Sequence, residues 1–128
     1  MERVIYLDTH SVVWLYAGST GLFSKKALAA LEASQILISP MVALELQYLF
    51  ETGRVRASSG RIVAGLTADI NLKVCEIPFA EVAARALEQK WTRDPFDRII
   101  AAQAIAGNAP LLTKDATILK NCKRAFWD

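Results

Sequence analysis

Residues 4–17 read VIYLDTHSVVWLYA: four β-prone apolar residues, an aspartate, a short polar turn, then a run of helical spacing. A strand that gives way to a helix in this manner opens a βα unit, and the alternation recurs down the chain. ILIS at 36–39, KVCEI at 73–77 and PLLT at 110–113 read as further strands. Helix-forming segments fill the intervals: VVWLYA after Ser11, KKALAALEA after Ser24, MVALELQYLFE after Pro40, FAEVAARALEQK after Pro78 and RIIAAQA at 98–104. The stretch from Thr52 to Asn71, with glycines at 53, 60 and 65, predicts one more helix, and Lys123 to Trp127 a last edge strand. Strand then helix, repeated, implies an α/β fold: a parallel sheet covered by helices on both faces.

The length suits one domain over residues 1–128, long enough to bury about two-thirds of the unfolded surface around a single core. With 53% apolar and 22% charged residues the chain is greasier than average, which leaves apolar surface for an interface. A net charge of +2 permits a nucleic-acid partner without arguing for one. Cys75 and Cys122 lie far apart without metal-ligand spacing and read as reduced thiols. MERVIYLD lacks the uninterrupted apolar stretch of a signal peptide, and no segment approaches the ~20 apolar residues that span a bilayer, so a cytoplasmic protein with no membrane partner is expected. There is no long linker, low-complexity tract or internal repeat.

The acids carry the chemistry. In TRDPFDRIIAAQA (92–104), Asp94 is a good N-cap, Pro95 suits the first helical position, and Asp97 falls at N3, where an acid favours the helix dipole. Capping, worth about 1 kcal/mol, accounts for that stretch taken alone. Open parallel sheets, however, bind ligands outside the carboxyl ends of their strands, near the switch in strand order. Asp8 follows VIYL, Asp115 follows PLLTK, Asp97 opens the helix preceding that last strand, and Glu45 lies in the first turns after ILIS. All four can face one crevice, although Asp8 and Asp115 also precede helices that need caps. Glu45 is harder to dismiss: its helical neighbours Met41, Val42, Tyr48 and Leu49 are predominantly apolar, and none is basic. A carboxylate on a buried face is costly unless it reaches a solvated edge or a cation compensates it. A cation shared with Asp8 accounts for both. The cluster is all carboxylate oxygen with a lone His10, which suits Mg²⁺ or Mn²⁺ better than zinc. Carboxylates holding such ions are the usual apparatus for hydrolysing phosphodiesters, so the expectation is a nuclease. His10 can contact substrate, but a solvated or helix-terminal histidine is the plainer reading.

With YLDTH near the N-terminus, the glutamate of SPMVALEL, the run DPFDRIIAAQA and LLTKD near the C-terminus, the chain resembles the PIN-domain nucleases, and within them the VapC-type toxins of toxin–antitoxin pairs. The resemblance spans nearly the whole chain. It implies a three-layer sandwich with a central, mostly parallel sheet flanked by helices. It further implies that Asp8, Glu45, Asp97 and Asp115 form a catalytic centre binding Mg²⁺ or Mn²⁺, with Asp97 rather than Asp94 matching the acid before the apolar helix. Asp94 is then a cap or supporting group, and Thr113 matches a small hydroxyl residue that orients the fourth acid or a metal-bound water. An RNA substrate, a small antitoxin partner and a homodimer follow from the same resemblance. His10 departs from the Ser or Asn of many members, which leaves substrate contact at that position open.

The expected activity is thus that of a metal-dependent endoribonuclease. One histidine does not supply the pair of general acid and base that enzymes using the 2′-hydroxyl commonly employ. Metal-activated water should instead leave 5′-phosphate and 3′-hydroxyl ends. Lys90, Arg93, Arg98 and Lys114 near the crevice, and Lys120, Lys123 and Arg124 beyond it, are candidates to meet phosphates. No aromatic stacking motif of the RRM kind is present. The apolar excess on ALELQYLF and VVWLYAG fits a dimer face, with an antitoxin helix laid in a groove nearby. Two other readings compete. One is a catalytically silent PIN-like module that only binds. The other is a phosphoacceptor receiver, which needs paired acids after strand one and an acceptor after strand three; a single Asp8 and KVCEIPF supply neither. A haloacid-dehalogenase-like phosphatase fails in the same way, because DTH has no second aspartate.

Overall fold

The structure is a computed structural model and describes residues 3–128. Five strands, β1 (Arg3–Leu7), β2 (Ser34–Ile38), β3 (Lys73–Val74), β4 (Leu111–Leu112) and β5 (Ala125–Phe126), form one sheet in the order β3-β2-β1-β4-β5. Every pairing is parallel, from Arg3 opposite Ser34 to Leu7 opposite Ile38, and with Leu7 opposite Leu112 on the other side of β1. From β1 the chain steps outward to β2 and β3, then crosses back to set β4 on the far side of β1. The gap between β1 and β4 is therefore the switch in strand order, where a crevice opens at the carboxyl ends.

Among the described residues seven α-helices make the connections: α1 (Thr9–Tyr16), α2 (Lys25–Ala33), α3 (Pro40–Glu51), α4 (Ser59–Ile70), α5 (Phe79–Ala86), α6 (Pro95–Ala106) and α7 (Ala116–Asn121). Ile5, Tyr6 and Leu7 are consecutive in β1 and all buried, which requires helices on both faces of the sheet. Helices α1, α3 and α4 pack on one another, α6 lies against α3 and α5, and α2 covers β1 and β2.

Local chemistry explains where each helix starts. Asp8, Ser24, Ser39, Ser58, Asp94 and Asp115 are all N-caps whose side chains accept a first-turn backbone N–H. Pro40 and Pro95 take the opening helical positions behind two of them. Asn71 closes α4 in the left-handed region at φ 57°.

Several boundaries differ from those the sequence predicts. Helix α1 begins at Thr9 rather than after Ser11, because Asp8 itself is the cap. Ser39 is not a strand residue but the cap of α3, and β2 begins two residues earlier than expected. The strand expected over 73–77 pairs only at Lys73–Val74, with one further bond from the Cys75 amide to the Ile38 carbonyl at 2.8 Å. An edge strand has one neighbour, and the approach to Pro78 turns the chain away. Helix α5 ends at Ala86, with Leu87 and Glu88 in a turn rather than in the helix expected to run to Lys90.

Candidate active site

Asp8 leaves the end of β1 at the switch point, its amide bonded to the Leu112 carbonyl of β4 at 3.2 Å. Although the side chain is 6% exposed, both of its oxygens are held. Oδ1 accepts the Ser11 amide at 3.0 Å, and Oδ2 accepts the Thr113 hydroxyl at 2.5 Å. The Thr113 oxygen in turn accepts the Asp115 amide at 3.0 Å. One fully buried hydroxyl thus ties the ends of β1 and β4 together and sets the rotamer of Asp8. Ser11, also fully buried, adds a bond from its hydroxyl to the Leu112 carbonyl at 3.3 Å.

Glu45 sits in the second turn of α3 and accepts the hydroxyl of Thr9. Asp97 is in the first turn of α6, behind the Asp94 cap, which accepts the Phe96 and Asp97 amides at 2.8 and 3.3 Å. Asp115 is an exposed cap of α7, accepting the Ile118 amide at 2.9 Å on Oδ1. A carboxylate offers about four lone-pair sites, so capping leaves Asp94 and Asp115 with acceptor capacity to spare.

The electrostatics join these acids into one group. Burial, the largest influence, raises the Asp8 carboxyl above its ordinary value against the pull of the Thr113 and Ser11 bonds. It does the same to Glu45, opposed by the Thr9 bond and the charge of His10, and reinforced by the charges of Asp94 and Asp8. Asp97 is pushed up to about 6, by burial first and then by Asp94, Asp115, Glu45 and Asp8. Among these influences the charge of His10 eases Asp8 and Glu45, whereas the charges named on Asp97 are all acidic. Asp97 thus feels the other three acids singled out by sequence, with Asp94 as a fourth.

As the side chains stand, no group of three or more His, Cys, Asp or Glu among the described residues is arranged to hold a metal ion. The donor chemistry nonetheless fits a hard divalent cation: the donors are all oxygens, mutually repelling, and short of basic compensation.

The basic candidates separate. Lys114 lines a cleft of about 340 Å³ with Asp8, His10, Trp14 and Asp115. Arg98 instead turns back onto α5, donating to the Ala86 and Leu87 carbonyls at 3.2 Å each, because the last carbonyls of a helix lack partners of their own. Arg93 donates to the Lys90 carbonyl at 3.1 Å. Lys123 and Arg124 border a larger groove of about 880 Å³ at the amino ends of the strands, which contains none of the four acids. Lys120 occupies the last turn of α7.

Thr9 and Ser11 are the residues sequence reasoning missed. Both lie within DTHS and were legible as polar residues of a turn. Their roles were not, because the partners, Glu45 and Leu112, lie 36 and 101 residues away.

The family model described as PIN domain matches residues 5–123. Three solved structures share the fold. VapBC2 from Rickettsia felis, bound to a promoter DNA fragment, has a TM-score of 0.72 at 20% identity, over 98% of this chain and 99% of that one. A toxin–antitoxin complex from Klebsiella pneumoniae has a TM-score of 0.67 at 21% identity, over 95% of each chain. VapBC-1 from nontypeable Haemophilus influenzae has a TM-score of 0.64 at 16% identity, over 98% and 96%. No curated protein matches the sequence.

Proposed function

Because this chain belongs to the PIN domain family, we propose that it is an endoribonuclease dependent on Mg²⁺ or Mn²⁺, with Asp8, Glu45, Asp97 and Asp115 as its metal-binding and catalytic acids. The observation that carries this reading is the acidic group at the strand switch, centred on a buried Asp8 whose two oxygens are both oriented. Asp8, Glu45, Asp97 and Asp115 would hold a divalent ion, which when bound would supply an activated water and charge neutralisation for phosphodiester hydrolysis. The chain's part is to hold and position. Thr113 and Ser11 keep the Asp8 carboxylate from rotating. Thr9 does so for Glu45, and the fixed first turn of α6 presents Asp97. Lys114, beside Asp115, meets a substrate phosphate.

The VapBC and toxin–antitoxin names of the similar structures support a toxin neutralised by a small antitoxin. Exposed Leu44, Tyr48 and Phe50 on α3, with Tyr16 on α1, support a homodimer with an antitoxin helix docked nearby. No helix among the described residues is long and apolar enough to cross a membrane; action on RNA in the cytoplasm, as a single domain, is part of the proposal.

The test combines cleavage with product analysis. The purified chain should cut single-stranded RNA with Mn²⁺, fall silent in EDTA, and leave 5′-phosphate and 3′-hydroxyl ends by mass spectrometry. Asp8→Asn should lower cleavage by orders of magnitude and relieve the growth arrest caused by expressing the chain alone. A 2′,3′-cyclic phosphate as primary product overturns the mechanism. Metal-independent RNA binding without cleavage would favour the silent module instead.

A further inference from the structure

The cleft beside the acids has a wall that the nuclease reading does not use. One side is His10 and Trp14, four residues apart on α1, with ring centroids 6.1 Å apart and planes tilted by 46°. Lys114, from the loop after β4, lines the same cleft, as do Asp8 and Asp115. Trp14 is half-buried and braced from behind. Phe23 and Trp127 meet it edge-on at 6.2 and 5.9 Å and stack on each other at 5.1 Å, while Ser24 donates to the Trp127 carbonyl at 2.5 Å. The Lys114 ammonium stands 5.9 Å over the same Trp127 ring. Trp14 is therefore braced before any ligand arrives, and the exposed His10 ring lies beside it.

An aromatic face with a lysine in the same cleft suits an unstacked base and its phosphate. Paired bases already stack on their neighbours, whereas a single strand can turn one base outward. The cleft, at about 340 Å³, lies in the range of small-ligand sites and adjoins the acids directly.

We propose that His10, Trp14 and Lys114 form a base-binding subsite, in which a nucleobase of single-stranded RNA lies against the His10–Trp14 wall while Lys114 meets its phosphate. The subsite rests on the nuclease reading and specifies its substrate: an unpaired nucleotide next to the scissile bond. Stacking tolerates every base, so the subsite selects for single-strandedness before sequence.

Two measurements test it. The first uses Asp97→Asn protein in EDTA and single-stranded RNA decamers of mixed sequence carrying one 2-aminopurine. Its fluorescence should be quenched on binding, and His10→Ala or Lys114→Ala added to that background should each weaken binding about tenfold, as loss of one stacked base or phosphate contact does. The second is steady-state cleavage by otherwise unaltered protein. His10→Ala and Lys114→Ala should raise KM about tenfold with kcat nearly level. Trp14→Phe, which keeps an aromatic ring against Phe23 and Trp127, should give a smaller rise. The Mn²⁺-induced rise in melting temperature should survive in His10→Ala. Unchanged KM in both His10→Ala and Lys114→Ala, with RNA still cut, overturns the subsite and leaves the nuclease standing. Failure of the unaltered chain to cut RNA in Mn²⁺ overturns the nuclease reading, and this subsite with it.

Discussion

Asp97 carries two roles that a single substitution separates. As the acid at N3 it favours the helix dipole; as a member of the crevice it is repelled by four other carboxylates. Its pKa of about 6 in the fold stands above the ordinary 3.8. Between those values the folded state retains a proton that the unfolded state has lost. Its stabilising contribution is complete below about pH 4 and disappears as pH rises through 6. In EDTA, then, the melting temperature should fall from pH 4.5 to 7.5 by more in the unaltered protein than in Asp97→Asn, and at pH 7.5 the variant should melt no lower. Mn²⁺ should reverse the order by stabilising the unaltered protein much more. Equal Mn²⁺ stabilisation of the two proteins would remove Asp97 from the site, whatever its effect on activity. Thr113 acts at the same scale by a different means: it is uncharged, fully buried, and decisive because one hydroxyl serves Asp8 and Asp115 together.

At the level of elements, α6 has to be registered against the sheet at both ends. Its start is set by the Asp94 cap and Pro95. Its end is set by Gly107, where a Cβ would come within 2.2 Å of the Tyr6 hydroxyl oxygen and 2.7 Å of the ring. Tyr6 cannot give way, since it is 3% exposed and its hydroxyl pairs with the Cys75 sulfur at 3.2 Å. Burial, reinforced by that bond and by Cys75, also raises the phenol above its ordinary value and keeps it neutral. Gly107→Ala should therefore cost about 2 kcal/mol in urea denaturation, as overpacking of a filled core does. Adding Tyr6→Phe should return only part of it, because the ring carbons still clash. A neutral Gly107→Ala would mean that α6 can slide along β1, and the position of Asp97 would then not be fixed by packing.

For the whole molecule, the order β3-β2-β1-β4-β5 sets β1 beside β4, and with them Asp8 beside Thr113. The outer surface of α3 is apolar beyond what the sheet needs: Leu44 is 58% exposed and Tyr48 47%, with the Tyr48 ring 5.9 Å from that of Phe96. A monomer seldom leaves such a row open to water. Sedimentation at micromolar concentration should find a dimer, and Leu44→Glu should shift it to monomer with helix content unchanged by circular dichroism. A clean monomer for the unaltered chain would refute the dimer.

Some of this was legible without coordinates. The βα alternation, the caps and the four acids are local or periodic features: an N-cap is read from the residue itself, and a parallel strand buried on both faces shows as an apolar run like VIYL or ILIS. Glu45 stood out because its helical neighbours left it without a partner. Sequence alone therefore determined the fold class, the family and the acids worth suspecting. Tertiary structure decided what each polar group faces. Thr9 pairs with Glu45 and Ser11 with Leu112, across 36 and 101 residues, and nothing in the local spacing selects those partners. It turned Arg98 onto α5 and set Lys123 and Arg124 at the far end of the sheet. It placed Lys114 in one cleft with His10 and Trp14, which no linear stacking motif announced. The physical reason is the same in each case: a side chain's energy is set by its neighbours in space, and chain crossover, not spacing along the sequence, chooses those neighbours.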